Sequence, residues 1–285
     1  MMRSMFAAIS GLKAHQMMLD VTANDIANVN TLGYKAERVT FKDSLSQLQR
    51  TASAPGVSNG GSNAAQIGLG VQLSSIDNLT APGAIQPTGN VTDVAVQGEG
   101  WFRVATGAPP MPAPPGVYAP PTGPVQPDFT RAGNFTRNSE GYLVTQDGYY
   151  VVGRDALGND CYLNIPSDAT NVAIAQDGSV SFDPPGGGPR VIAGYLSLAK
   201  FANEAGLQRV SGNRWSESAS SGAEQVDTPG NTGHGLIISG AVEMSNVDLA
   251  TEFTNMITAQ RGFQANSRII STSDEMLQEL VNMKR

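Results

Sequence analysis

The sequence predicts an α+β fold, with long amphipathic helices at the two ends of the chain and an antiparallel β-rich domain between them. Three observations carry that expectation. Apolar residues recur at steps of three and four near both termini, the middle alternates between Gly-containing turn signals, and the prolines gather in one internal stretch.

From the N-terminus, the steps land on Met5, Ile9, Leu12, Gln16, Leu19, Ala23, Ile26 and Asn30, a coiled-coil-like seam with two polar interruptions. Gly33 stands where a left-handed helix terminus belongs and Tyr34 offers the apolar closing contact, so the helix is predicted within residues 1–33. Asn24, Asn28 and Asn30 crowd its end, although asparagine competes with a helix for backbone bonds. Residues 34–75 read as a linker whose most flexible part holds Gly56, Gly60 and Gly61 among Ser and Asn.

The β domain is predicted over residues 76–235 from TDVAVQGEGWFRV, FTRNSEGYLVTQDGYYVVG and NVAIAQDGSVSF, with turns at residues 139–141, 147–148 and 177–178. Inside it, residues 105–127 hold nine of the 17 prolines; lacking ladder donors, they are expected to form an exposed polyproline-like loop between strands. Residues 236–285 hold the C-terminal helix, whose seam from Leu249 reads Phe253, Met256, Gln260, Phe263, Ser267, Ile270, Asp274, Leu277 and Val281. Ser245 with Asp248 resembles a capping box, and Lys284 and Arg285 suit the negative end of the helix dipole.

Composition narrows the partners. A formal charge of -7 and a pI near 4.8 give no general basic field, which argues against nucleic acid. The single cysteine, Cys161, excludes an internal disulfide framework. The early apolar run FAAI breaks at Ser10 and Gly11, too soon for the core of a cleavable secretory signal, and no window approaches the ~18 apolar residues of a membrane span. Neither membrane insertion nor general secretory export is expected.

Chemistry is sparse. His15 lies on a helix pattern and His234 in TGHG, without adjacent ligand types. Glu140 and Asp147 flank a predicted hairpin as turn residues, and the glycines at 98–100 and 186–188 lack the Lys-Ser/Thr of a phosphate loop. No catalytic, metal or cofactor-binding residue is predicted, and the chain is not expected to be an enzyme.

The segment SGLKAHQMMLDVTANDIANVNTLGYKAERVTFKD resembles the N-terminal signature of bacterial flagellar rod and hook proteins, and GAVEMSNVDLATEFTNMITAQRGFQANSRIISTSDEMLQELVNMKR is similar to their C-terminal one. GNVTDVAVQGEGWFRV, DFTRAGNFTRNSEGYLVTQDGYYVVG and IAQDGSVSF look like the family's central region. Through RVTFKDSLSQ, QIGLG and the final helix the resemblance is closest to short hook proteins of Gram-positive type, the distal rod protein being the alternative.

That resemblance implies a structural subunit of the flagellum outside the cell, exported by the flagellar type III apparatus without a cleavable signal and polymerised beneath a hook cap. The product would be a helical homopolymer joined to rod and hook-filament junction proteins, a curved tube passing motor torque to the filament. Its inner layer would be built from the terminal helices through Leu12, Leu19, Asn24, Ile26, Asn28, Asn30, Phe253, Met256, Phe263, Ile270 and Leu277. Gly56, Gly60 and Gly61 would supply compliance. In such a layer Asn24 and Asn28 would bond neighbouring subunits without burying charge and Asn30 would fix register; alternatively, Asn28 and Asn30 mark a fraying helix end. Two readings of other classes stay open, an exported wall hydrolase and an adhesin using the proline-rich loop.

Overall fold

The computed structural model describes residues 2–54, 60–107, 127–184 and 188–283. The chain divides into two compact units: unit 1 comprises Met1–Ala27, Glu37–Leu79 and Val247–Arg285, and unit 2 comprises Asn28–Ala36 and Thr80–Asn246.

Unit 1 contains both long helices, α1 (Met2–Ala27) and α2 (Leu249–Met283), and the strands β1 (Glu37–Asp43), β2 (Ser46–Arg50), β3 (Ala65–Gly68) and β4 (Val71–Asn78). β1 pairs antiparallel with β4 through a bulge at Thr40 and Phe41, and β2 with β3. Two side chains of α1 bind this ribbon: Asp25 accepts from the Glu37 N–H at 3.1 Å, and Ser10 Oγ accepts from the Val71 N–H at 3.2 Å. The segment predicted as a linker, residues 34–75, thus carries three strands and most of a fourth. Its alternation, Val39 and Phe41 against Ile76 and Leu73, is obscured in sequence by the charges around it and by the Gly/Ser/Asn run that follows.

α1 stops at Ala27, six residues before Gly33. Asn28 explains the stop: its carbonyl accepts from the Thr31 N–H and its side-chain oxygen from Thr31 Oγ1, both at 3.0 Å, closing a turn where the helix would continue. Gly33 does adopt a left-handed conformation, at φ 63°, but within unit 2, where a Cβ would stand 2.5 Å from the Ala132 nitrogen. At the other terminus the N-cap is Asp248, not Ser245. Its carboxylate accepts from the Ala250 N–H at 3.0 Å and from Thr251 Oγ1 at 2.7 Å. Lys284 and Arg285 lie outside the described residues.

Unit 2 is antiparallel β structure. Its strands are β5 (Ile85–Pro87), β6 (Val94–Gln97), β7 (Trp101–Ala105), β8 (Pro127–Thr130), β9 (Thr136–Arg137), β10 (Leu143–Val144), β11 (Tyr150–Arg154) and β12 (Asp160–Tyr162). There follow β13 (Thr170–Ile174), β14 (Ser179–Asp183), β15 (Val191–Leu196), β16 (Leu198–Lys200), β17 (Gln208–Val210) and β18 (Arg214–Ser216). The last are β19 (Gln225–Asp227), β20 (Leu236–Ser239) and β21 (Ala241–Glu243). The main sheet runs β13-β14-β15-β11-β7-β8-β18-β17, while β20 pairs with β6 and β21 with β5. Glu243 therefore sits in the final strand of unit 2, eight residues past the predicted domain end at 235.

β7 is the centre: all five of its residues are buried, and it pairs with β8, β11 and β16. Phe102 meets Phe135 edge-on at 5.2 Å, and Trp101 meets Trp215 at 5.5 Å. Arg103 is the one charge on the strand, held by Asp160 at 2.8 Å and Glu224 at 3.1 Å. Ala105 of β7 stands opposite Pro127 of β8, so the proline-rich stretch closes a strand pair; residues 108–126 lie outside the described residues.

Phe102→Ala is expected to destabilise unit 2 by about 3–5 kcal/mol, lowering its urea midpoint at unchanged slope. For α2, the hydrogen bonds from Thr251 and the Ala250 amide hold the Asp248 carboxyl below its ordinary value. Its capping contribution is therefore full above the ordinary carboxylate pKa and lost as pH falls through the lower folded value. The helical ellipticity of Asp248→Ala should trail the parent at neutral pH and converge with it in acid.

Candidate assembly surfaces

Both helices of unit 1 keep the predicted coiled-coil period; on α1 the most buried face lies one residue away from the predicted seam, and on α2 it includes the predicted Met256, Ile270 and Leu277 beside new positions. On α1 it carries Ala8, Gly11, His15, Met18, Thr22 and Asp25; on α2 it carries Glu252, Ala259, Gly262, Asn266, Ser273 and the half-buried Met256, Ile270 and Leu277. Facing pairs establish the antiparallel register. A Cβ on Gly11 would stand 2.6 Å from Asn266 Nδ2, and one on Gly262 would run into the His15 ring. Near the far end of this seam Thr22 hydrogen-bonds to Glu252. Burial holds the Glu252 carboxyl above its ordinary value, and the Asp25 charge pushes the same way.

The fully buried positions of the seam are thus small or polar, and the phenylalanines fall elsewhere. Phe253 and Phe263, placed on the predicted seam and among the assembly residues, are 49% and 38% exposed; Ile257, Ile269, Met276, Leu280 and Val281 are exposed as well. The sequence frame followed residue size, whereas close helix approach selects Gly, Ala and Ser. Among the described residues of unit 1, the only buried apolar side chains are those of Ala8, Ala14 and Ala259. Leu12, Leu19 and Ile26 are half-buried, and Asn24 is exposed. Asn28 and Asn30 leave the helix altogether: Asn28 closes the turn with Thr31, which favours the helix-end reading for these two.

The β2–β3 ribbon adds a second uncovered surface. Every residue of β2 is exposed, Leu48 and Ile67 among the exposed apolar side chains, and the pairing extends to a bridge between Ser53 and Ser62. A two-stranded ribbon of this kind is marginal in water by itself. Gly60 and Gly61 lie between its strands as exposed residues; Gly61 has φ 76°, so alanine there is strained, and Gly56 lies outside the described residues.

Unit 2 gathers a different constellation, one the sequence did not suggest. Lys35, Arg131 and Glu243 are buried together: Lys35 Nζ lies 2.7 Å from Glu243 Oε1, and Arg131 Nη1 lies 3.3 Å from Glu243 Oε2. Burial pulls the Lys35 ammonium below its ordinary value, against the attraction of Glu243. The available signal was a lone Lys in GYKA and a lone Glu in AVEM, each a charge in apolar company.

Catalytic machinery is not assembled by these surfaces. His234 has Nδ1 2.9 Å from the Asn231 carbonyl and Nε2 3.0 Å from that of Gln225. Burial pushes the Cys161 thiol up to about 12. Glu140 and Asp147 occupy exposed turns as predicted, and no cluster of three or more His, Cys, Asp or Glu among the described residues could hold a metal ion. No helix among them is long and apolar enough to cross a membrane.

Comparisons with known proteins agree across the chain. Residues 5–35 match the flagella basal body rod protein family, residues 120–182 the flagellar hook protein FlgE/F/G D1 domain, and residues 238–283 the flagellar basal body rod FlgEFG protein C-terminal family. The flagellar basal-body rod protein FlgG of Bacillus subtilis (strain 168) is 46% identical over 100% of both chains. FlgG of Agrobacterium fabrum is 38% identical over 96% of this chain and 97% of its own. The flagellar hook protein FlgE of Borreliella burgdorferi is 27% identical over the full length of both.

Gly262→Val should force the helices apart, overpacking the seam at a cost of about 1–3 kcal/mol. Faster proteolysis of α2 in the full-length variant is the expected readout, with valine at exposed Gln264 as the control that leaves the rate unchanged.

Proposed function

Because this chain belongs to the family of flagellar basal-body rod and hook proteins, we propose that it is the distal rod subunit, assembling with copies of itself through unit 1 into a straight helical tube. The family is structural, not enzymatic, and its members are components of the flagellar basal body and hook.

One observation carries the assembly reading: among its described residues, unit 1 buries no apolar side chain larger than alanine while it exposes Phe6, Phe253, Ile257 and Phe263. Exposed apolar surface on this scale marks an interaction site. Neighbouring copies would cover the outward faces of α1 and α2 and the β2–β3 ribbon, making Phe253 and Phe263 contacts between subunits. Leu12, Leu19, Ile26, Met256, Ile270 and Leu277 would support the same layer from its half-buried side, with Asn24 bonding outward.

Two observations favour the rod over the hook reading made from sequence. The hook reading expected compliance between the units from Gly56, Gly60 and Gly61, yet this stretch lies within unit 1, where β2 pairs with β3 and the Ser62 N–H donates to Ser53 Oγ. Full-length relatives named as rod proteins are also more similar than the hook protein, 46% and 38% against 27%. Export by the flagellar type III apparatus, and junctions with other rod, cap and hook proteins, belong to the same proposal.

Electron microscopy of a deletion strain decides between the two. Basal bodies whose rods end short are expected; complete rods lacking only a hook would identify a hook subunit instead. For the surface itself, Phe263→Asp should abolish sedimentable polymer by placing a charge in a dehydrated interface. It should leave the melting of unit 2 unchanged, because Phe263 belongs to unit 1.

A further inference from the structure

Among the described residues the Glu243 carboxylate is the only anion bonded to two buried cations, and those bonds join distant parts of unit 2. Lys35 and Glu243 are 208 residues apart, and their side chains are 0% and 1% exposed; Arg131 is 1% exposed. Glu243 Oε1 also accepts from the Gly83 N–H at 2.9 Å, and its backbone carbonyl accepts from the Gly33 N–H at 2.8 Å. Lys35 Nζ donates in addition to the Ala81 carbonyl at 3.0 Å. Asn246 completes the set, accepting from the Ala36 N–H at 2.8 Å and donating to the Ala81 carbonyl at 3.0 Å.

Residues 33–36, 81–83 and 243–246 are the stretches of unit 2 next to three places where the chain passes between units. All three are bonded to one another here. Arg209 secures the outer side of the first, donating to the Lys35 carbonyl at 2.8 Å while its guanidinium stacks between Tyr34 and Trp215 at 4.8 and 5.0 Å. Without the Glu243 carboxylate, docking Lys35 would bury a second cation beside Arg131 with only the weaker attraction of Glu204 to offset it. Two desolvated like charges are prohibitively costly, so Lys35 stays in water until Glu243 arrives.

We propose that Glu243 is the closing element of a clasp that folds last: the β sheet of unit 2 forms first, and residues 33–36 dock only when β21 brings its carboxylate into place. The clasp thereby gathers three chain crossings into one bonded stem, whether the tube is rod or hook.

The test uses the full-length chain and hydrogen exchange resolved by residue. In Glu243→Gln, which keeps the shape and removes the charge, the amides of Gly33 and Ala36 are expected to lose protection on the order of 100-fold or more while those of β7, β11 and β14 keep theirs. The double variant Lys35→Met, Glu243→Gln should recover part of the loss, because the cation that needed the carboxylate is gone. Pulse labelling during refolding of the parent should find Gly33 and Ala36 protected after the β7 and β11 amides. Unchanged protection at Gly33 and Ala36 in Glu243→Gln would overturn the clasp. Equal loss across unit 2, no recovery in the double variant, or simultaneous protection on refolding would each overturn it too.

Discussion

A helix pair joined through Ala, Gly, Ser and Asn can approach closely but cannot remove much apolar surface from water, and unit 1 depends on that constraint. Close approach at Gly11 and Gly262 fixes the register of α1 against α2. The same small residues leave the pair without the buried Leu or Phe layers that stabilise an independent bundle, each worth about 1.5–3 kcal/mol. Helical stability in proteins comes mostly from tertiary burial of an apolar face, so the missing burial has to come from outside the chain. Large side chains are present, but Phe253, Ile257, Phe263 and Leu280 are exposed.

Unit 2 solves the opposite problem. Its aromatic residues are buried around β7, with edge-on contacts at Trp101, Phe102 and Phe129. Its internal charges are paired: Arg103 by Asp160 and Glu224, and Lys35 and Arg131 by Glu243. A charge-paired interior of this kind contributes more to a single defined arrangement than to net stability. The division fits a subunit that needs one self-sufficient domain and one that becomes stable only in company.

Much of this was legible in the sequence because periodicity reports secondary structure directly. Both helices, the β-rich middle, the turns at residues 147–148 and 177–178, and the flagellar family could all be read from it. The seam could not, since Phe253, Phe263 and their neighbours satisfy a coiled-coil pattern equally well whether they face a partner helix or another subunit. Asn28 was ambiguous for a related reason: its bond to Thr31 exists only once the helix has ended. The ribbon was hidden by composition, as β2 and β3 pair mostly through Ser, Gln, Arg and Gly, with too little apolar alternation to announce a strand. The clasp lay beyond local reading, because Lys35 and Glu243 meet across 208 residues.

The central claim is that unit 1 acquires its stability from neighbouring copies. Residue-resolved hydrogen exchange along α2, compared between dilute monomer and sedimented polymer, measures it directly. The account predicts weak protection at residues 253–283 in the monomer, rising by orders of magnitude in the polymer while the amides of β7 and β11 do not change. Strong, concentration-independent protection of α2 in a verified monomer would contradict it, since the small-residue seam alone would then be holding the helices.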